Sequence, residues 1–357
     1  MVPTDLIKSP QPVVSFVIPT LNRGKYVRRA VRSCLNNDDE NVCVEVVVID
    51  SSSKDGSFEE LQQEFSDDDR VKLLQNPSGS GPIKSWLEGI ESISGDYFTF
   101  VWSDDLISPL FLKTLLKPLL DGSANVAIGF GKNELLDYEL DFSPTSGQFS
   151  ILDRSEMLLR YFRIAVPKQT HPIIVSPTCS LFSATDIQSW VGGVRDYCQQ
   201  TPLRREIMWH SAIGPDLMLY LTAFSPGHYS VALTEYWTAQ FSIHPESITI
   251  GSDPCRLQIG YWLARAWYIE AYSNKENPSF PAQLFAPHLL RGLVIILRCV
   301  LSINSHRYFC RFFGELLIMT HLAWRKNYFF SGMWIVFIEG GRIIGQCLPK
   351  LLRWNSK

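Results

Sequence analysis

The chain has 357 residues, 46% hydrophobic and 19% charged, which is enough apolar material for one large domain and an appendage. Its formal net charge of −3 provides no global field that would favour nucleic acid. The charge is uneven: residues 255–357 hold 13 Lys/Arg against 4 Asp/Glu and the rest 20 against 32, so the two parts are expected to do different jobs. Val13–Ile18 is a short apolar run closed by Pro19 and a polar turn, the pattern of a buried strand. Val27, Ala30, Val31, Cys34 and Leu35 then recur at helical spacing. Val44–Ile49 reads as a second strand ending at Asp50, with a helix after the turn Ser51–Gly56. Val71–Leu74 and Tyr97–Trp102 read as further strands, separated by a helix through Ile83, Leu87, Ile90 and Ile93. Pro109 is placed to open a helix over Leu110–Leu120.

This alternation predicts an α/β fold with a mostly parallel sheet flanked by helices. Beyond Asn125–Phe130 the pattern becomes irregular, with helices expected at Arg154–Phe162 and Asp216–Ala223 and strands over Val231–Phe241. From about Pro254 the chain turns helical, aromatic and basic, and the three prolines in Asn274–Pro287 predict a break. One boundary is therefore drawn, between a catalytic domain 1–253 (halves of about 13–130 and 131–253) and a C-terminal region 254–357. The eight cysteines form no C-x-x-C pair, which suits a reducing compartment and argues against zinc. Residues 1–12 hold no apolar run of the secretory kind. Leu289–Ile303 and Phe329–Cys347 are apolar but interrupted by charge, so a spanning helix is not expected.

Ligands of parallel sheets gather at the carboxyl ends of the strands. Three polar clusters fall there: Pro19-Thr20-Leu21-Asn22, Asp50-Ser51-Ser52-Ser53 and Ser103-Asp104-Asp105. Adjacent carboxylates repel, and a hard divalent cation such as Mg²⁺ or Mn²⁺ would neutralise them while also gripping phosphate oxygens. The bland alternative is a solvated turn. Asp50 can accept from a base N–H, while Ser53 or Asp55 can equally serve as a helix cap.

VSFVIPTLNRGKYVRRAVRSCLNN, VEVVVIDSSSKDGS and QNPSGSGPIKSWLEGIESISGDYFTFVWSDDLISP together resemble the family 2 glycosyltransferases, which have the GT-A fold; the likeness runs nearly continuously to Leu116. It implies a nucleotide-diphospho-sugar donor, with Pro19, Thr20, Asn22 and Asp50 at the nucleoside, Ser51 also in contact with the donor, and Lys84 toward the phosphates. Asp104 and Asp105 would hold the ribose, the diphosphate and the Mn²⁺ or Mg²⁺ ion, Asp105 as the direct ligand. Asp216, in Ile213-Gly214-Pro215-Asp216-Leu217, matches the family's catalytic base, with a dipole-favoured helix charge as the alternative. Phe241–Thr249 resembles the family's His-x-x-Ser segment, placing His244 near the diphosphate, and Ser176–Ser180 is assigned to the acceptor pocket. The chain departs from the family at Ser51, Leu21 and Trp102, which leaves UDP a first guess beside dTDP and GDP.

The reaction implied is inverting transfer to a hydroxyl of a glycan or lipid-linked glycan, in surface polysaccharide synthesis. The rivals are a non-catalytic nucleotide-sugar-binding module and a nucleotidyltransferase, although no Gly-rich loop follows Ile18. In the C-terminal region, aromatic and aliphatic residues mix with Arg and Lys over His288–Ile303, Tyr308–Trp324 and LPKLLRWNSK. Such helices suit an anionic membrane surface, here the inner face seen from the cytoplasm; packing on the catalytic domain or on a second subunit is the alternative.

Overall fold

The computed structural model describes residues 11–38, 40–79, 81–135, 149–162, 176–185, 187–223, 230–244, 251–272, 279–301 and 306–325. Two compact units emerge, Met1–Ile151 with Ser176–Gln188 and Ser230–Pro245, and Leu152–Val175 with Ser189–Tyr229 and Glu246–Lys357. Both are discontinuous in sequence, whereas the sequence reading drew a single boundary after residue 253.

In the first unit β1 (Val13–Thr20), α1 (Gly24–Leu35), β2 (Cys43–Asp50), α2 (Ser57–Phe65), β3 (Val71–Gln75), α3 (Pro82–Glu91) and β4 (Tyr97–Phe100) follow the expected alternation. β3, β2, β1 and β4 pair in that order, all parallel. Phe16, Ile18, Val46 and Val48 face a core built with α1, α2 and the following α4 (Phe111–Leu115). Val17 and Ile49 face the other way, so close to α3 that a Cβ on Gly89 would lie 2.4 Å from Val17 and 2.7 Å from Ile49. Burial on both faces is why these strands read as continuous apolar runs rather than alternating ones.

The expected helix over Leu110–Leu120 is instead two short ones, α4 and α5 (Lys117–Leu120). Pro118 stands in the first turn of α5, where its missing N–H costs nothing, but it could not continue a longer helix. The sheet then turns mixed. β8 (Ser180–Ser183) runs antiparallel to β4 and to β6 (Val126–Leu135). The expected strands over Val231–Phe241 form one strand, β9 (Val231–Ile243), parallel to β6 with register shifts around Phe130. β5 (Leu106–Ile107) closes the order, antiparallel to β9, and β7 (Ser150–Leu152) also pairs β9.

The second unit is helical among the described residues: α6 (Arg154–Tyr161), most of α7 (Ile187–Tyr197), α8 (Pro202–Arg204), α9 (Pro215–Thr222), α10 (Pro254–Tyr272), α11 (Ser279–Leu301) and α12 (Phe309–Arg325). Most of the expected Asn274–Pro287 break is helix: α11 begins at Ser279 and carries Pro287 inside it. Pro281 lies in its first turn, where proline is tolerated, while Pro287, inside the helix, has no N–H to give the ladder and crowds the carbonyl four residues before it. Residues 273–278 lie outside the described residues. Arg204, 2% exposed, ties α8 to α10 and α12 through Glu270 at 3.3 Å and Glu315 at 2.7 Å. No described helix is long and apolar enough to cross a membrane.

Candidate active site

β1 and β2 end in register, Thr20 opposite Asp50, so their loops emerge side by side. Asn22, at φ 52°, turns the first loop, a conformation Asn tolerates better than most residues. Its backbone N–H donates to the Ser53 hydroxyl at 2.7 Å and its side-chain amide oxygen Oδ1 accepts the Lys54 N–H at 2.8 Å. The Asp50 carboxylate is fully buried and accepts the Ser53 N–H at 2.9 Å, the Ser53 hydroxyl and the Gln75 amide at 3.1 Å. Asp50 therefore holds the loop that Asn22 grips. α2 has Gly56 at its N-cap position, and the Asp55 carboxylate just before it accepts the Ser57 N–H at 3.1 Å, so Asp55 serves the helix start while Ser53 is bound to Asp50 and Asn22. Ser51 bonds the Ser85 hydroxyl at 2.8 Å and donates its N–H to Thr20 at 3.0 Å, joining α3 to both strand ends. Pro19 is half-buried, and the buried Thr20 hydroxyl lacks a hydrogen-bond partner among the described residues. Lys84 is exposed in the first turn of α3.

Asp104 and Asp105 follow β4 and precede β5. β5 pairs with β9, Leu106 opposite Gln240, which brings the residues just before β5 beside Ser242 near the end of β9. The Ser242 N–H donates to Asp105 Oδ1 at 2.9 Å, and its hydroxyl donates to the Asp104 carbonyl at 2.5 Å. The Thr178 hydroxyl also donates to Asp105 and accepts the Trp102 N–H at 3.3 Å. Asp104 Oδ2 lies 2.5 Å from His244 Nε2 and 3.9 Å from Arg23 Nε, in the loop after β1. Burial pushes the Asp105 carboxyl well up, and the Asp104 charge beside it pushes the same way. The ends of β1, β4 and β9 thus bring Arg23, Asp104, Asp105, Ser242 and His244 together.

Trp102 stacks on Phe100 and packs on Trp86 with ring centres 4.8 Å apart, completing a wall before the carboxylates. Arg23, Thr178 and Ser242 stood in segments the sequence singled out, but only the strand register shows which partner each one meets. Pro245–Thr249, the rest of the His-x-x-Ser segment, lies outside the described residues.

Asp216 belongs to the second unit, in the first turn of α9. Gly214, at φ 111°, approaches α10 so closely that a Cβ there would lie 2.6 Å from the Gly260 carbonyl. Trp190 Nε1 donates to the Pro215 carbonyl at 2.9 Å. Asp216 accepts the Leu217 N–H at 2.8 Å and the Tyr261 hydroxyl at 3.1 Å. Burial pushes its carboxyl up to about 6 against these donors.

Residues 15–189 match the sequence model described as Glycosyl transferase family 2. These residues belong to glycosyl transferase family 2. The family 2 segment contains the strand ends carrying Asn22, Asp50, Asp104, Asp105 and Thr178, while Asp216, Ser242 and His244 lie past its end. A Haemophilus influenzae uncharacterized glycosyltransferase is 37% identical over 97 residues, 27% of this chain and 38% of that protein. A Campylobacter jejuni GalNAc(5)-diNAcBac-PP-undecaprenol beta-1,3-glucosyltransferase is 30% identical over 155 residues, 43% of this chain and 48% of its own length. The chain thus spans less than half the length of either relative. Among solved structures, Staphylococcus aureus TarS 1-349 in complex with UDP-GlcNAc superposes with a TM-score of 0.60. The superposition covers 86% of this chain and 81% of that one at 14% identity, a likeness of fold. The expected α/β architecture, mostly parallel at its centre, is the architecture shared with this neighbour.

Proposed function

We propose that this protein is an inverting glycosyltransferase that moves a sugar from a nucleotide-diphospho-sugar to a hydroxyl of a glycan or lipid-linked glycan. The observation that carries the reading is the convergence of Asp104, Asp105, Arg23 and His244 where β1, β4 and β9 end. A carboxylate pair with an arginine and a histidine beside it suits a diphosphate held through a divalent ion, and the names of the relatives lend the context of glycan assembly.

The donor set fits Mn²⁺ or Mg²⁺. Asp105 is a buried carboxylate raised by desolvation and by its like-charged neighbour, and a nearby cation would relieve both. Among the described residues no three His, Cys, Asp or Glu side chains are placed to hold one metal ion between them. The protein would thus contribute Asp105 and Asp104, and the donor phosphates and water would complete the shell, as is common for Mg²⁺. When bound, the ion supplies charge stabilisation to the departing nucleoside diphosphate.

The chain's own residues do the rest. Ser242 and Thr178 aim Asp105 by donating to it. Arg23 and His244, both against Asp104, offer N–H donors to the phosphate oxygens. Asn22, Ser51 and Thr20 shape the nucleoside end, with Asp50 fixing their loop, and exposed Lys84 stands at the start of α3. UDP is the first nucleotide to test. Asp216 accepts the proton of the attacking hydroxyl, for which an acidity of about 6 suits a base working near neutrality. Direct attack by that hydroxyl opposite the leaving group inverts the anomeric centre.

The reading is tested by screening nucleotide sugars for Mn²⁺-dependent release of the nucleoside diphosphate. Turnover of one donor that stops on chelation and returns with Mn²⁺ is the expected result. Binding without turnover of any donor, with or without glycan acceptors, would make the protein a sugar-nucleotide-binding module.

A further inference from the structure

Of the ten exposed large apolar side chains among the described residues, six lie on α11 and α12 of the second unit. Leu293, Leu297 and Val300 recur at i, i+4 and i+7 of α11, a stripe about 60° wide at about 100° per residue. The other side of α11 is packed: Ile295 and Cys299 are buried, and a Cβ on Gly292 would lie 2.7 Å from Leu316 of α12. α12 repeats the division, burying Phe312, Leu316 and Met319 and exposing Phe313, Leu317 and Ile318. Each helix is apolar on both the packed and the uncovered side, a composition that belongs in a core or against lipid.

Charge decides what kind of surface covers them. α11 contains no Asp or Glu. The only acid of α12, Glu315, is 2% exposed and bound to Arg204. Among the described residues, the exposed charged and titratable groups here are Arg307 before α12, Cys310, Arg311, which meets Glu206 of the same unit at 2.7 Å, and His321. Residues 326–357 continue the bias in sequence, with Lys326, Arg342, Lys350, Arg353 and Lys357 against Glu339. A second copy of the chain would set these cations against their own kind, whereas anionic headgroups would meet them with opposite charge.

We propose that the exposed faces of α11 and α12 form a docking surface for an anionic membrane. Leu293, Leu297, Val300, Phe313 and Leu317 enter the acyl boundary, and Arg307 and Arg311 meet lipid phosphates. This does not depend on the proposed reaction, although a lipid-linked acceptor is approached from such a surface.

The test sediments the full-length protein with phosphatidylcholine vesicles, plain or containing about 30% phosphatidylglycerol. The wild type pellets with the anionic vesicles and stays mainly in solution with the plain ones. The double variant Leu297→Glu/Leu317→Glu, altered only at exposed positions, keeps its melting temperature and loses roughly tenfold or more in partitioning. A wild type that remains in solution with anionic vesicles overturns the proposal, as does a double variant that pellets undiminished. A dimer by light scattering that the double variant dissolves, with no vesicle binding, assigns the faces to self-association and overturns it too.

Discussion

Asp105 and Asp216 are both carboxylates raised by burial, yet their surroundings differ. Asp105 sits at a strand end with Asp104 beside it, Ser242 and Thr178 donating to it, and Arg23 and His244 at its neighbour. Asp216 stands at a helix start, accepting the Leu217 N–H and the Tyr261 hydroxyl. The first is a carboxylate among like charge and ordered donors, suited to a cation. The second is a single carboxylate with no charge partner raising it, suited to a proton. Register holds the one and close glycine packing holds the other, so each fails differently when altered.

The largest effect is expected where the comparison is sharpest. Asp105→Ala should leave a folded protein by circular dichroism and lower Mn²⁺-dependent donor turnover by roughly 10³-fold. Asp216→Asn should cut turnover by roughly 10²- to 10³-fold while the donor dissociation constant stays unchanged. A shift in donor affinity of the same size would move Asp216 into the donor site and erase the distinction. Thr178→Val removes one donor to Asp105 and should weaken Mn²⁺-dependent donor binding by roughly tenfold, read by calorimetry.

The smallest effects are in pH. With Asp216 held at about 6, wild-type kcat/KM should rise with pH through about 6, and Asp216→Asn should lose that limb. Stability runs the other way. A carboxyl whose acidity is raised in the folded state costs stability once pH climbs past its unfolded value near 4, and the full cost is reached above about 6. The melting temperature of Asp216→Asn relative to wild type should therefore be higher at pH 8 than at pH 4.

The strand ends were readable in the sequence because a buried parallel strand must emerge from the sheet at its carboxyl end, and polar residues there stand out against apolar runs. That logic located Asn22, Asp50 and Asp104-Asp105. It could not say that Asp50 turns inward to Ser53 and Gln75, since one acidic letter serves a ligand or a loop equally well. Nor could it pair Ser242 with Asp105: the two are far apart in sequence, and only the β5–β9 register joins them. The helical part was harder. An apolar helix pattern looks the same whether it packs, dimerises or meets lipid, and the prolines at 281 and 287 suggested a break where the helix continues.

Calorimetric titration of UDP, GDP and dTDP with Mn²⁺ into the wild type and into Asp104→Asn/Asp105→Asn tests the central assignment most directly. One nucleotide should bind the wild type only with the metal, and the double variant should lose that metal dependence together with most of the affinity. Equal, metal-stimulated binding to both proteins would show that the diphosphate is held somewhere other than at the end of the fourth strand.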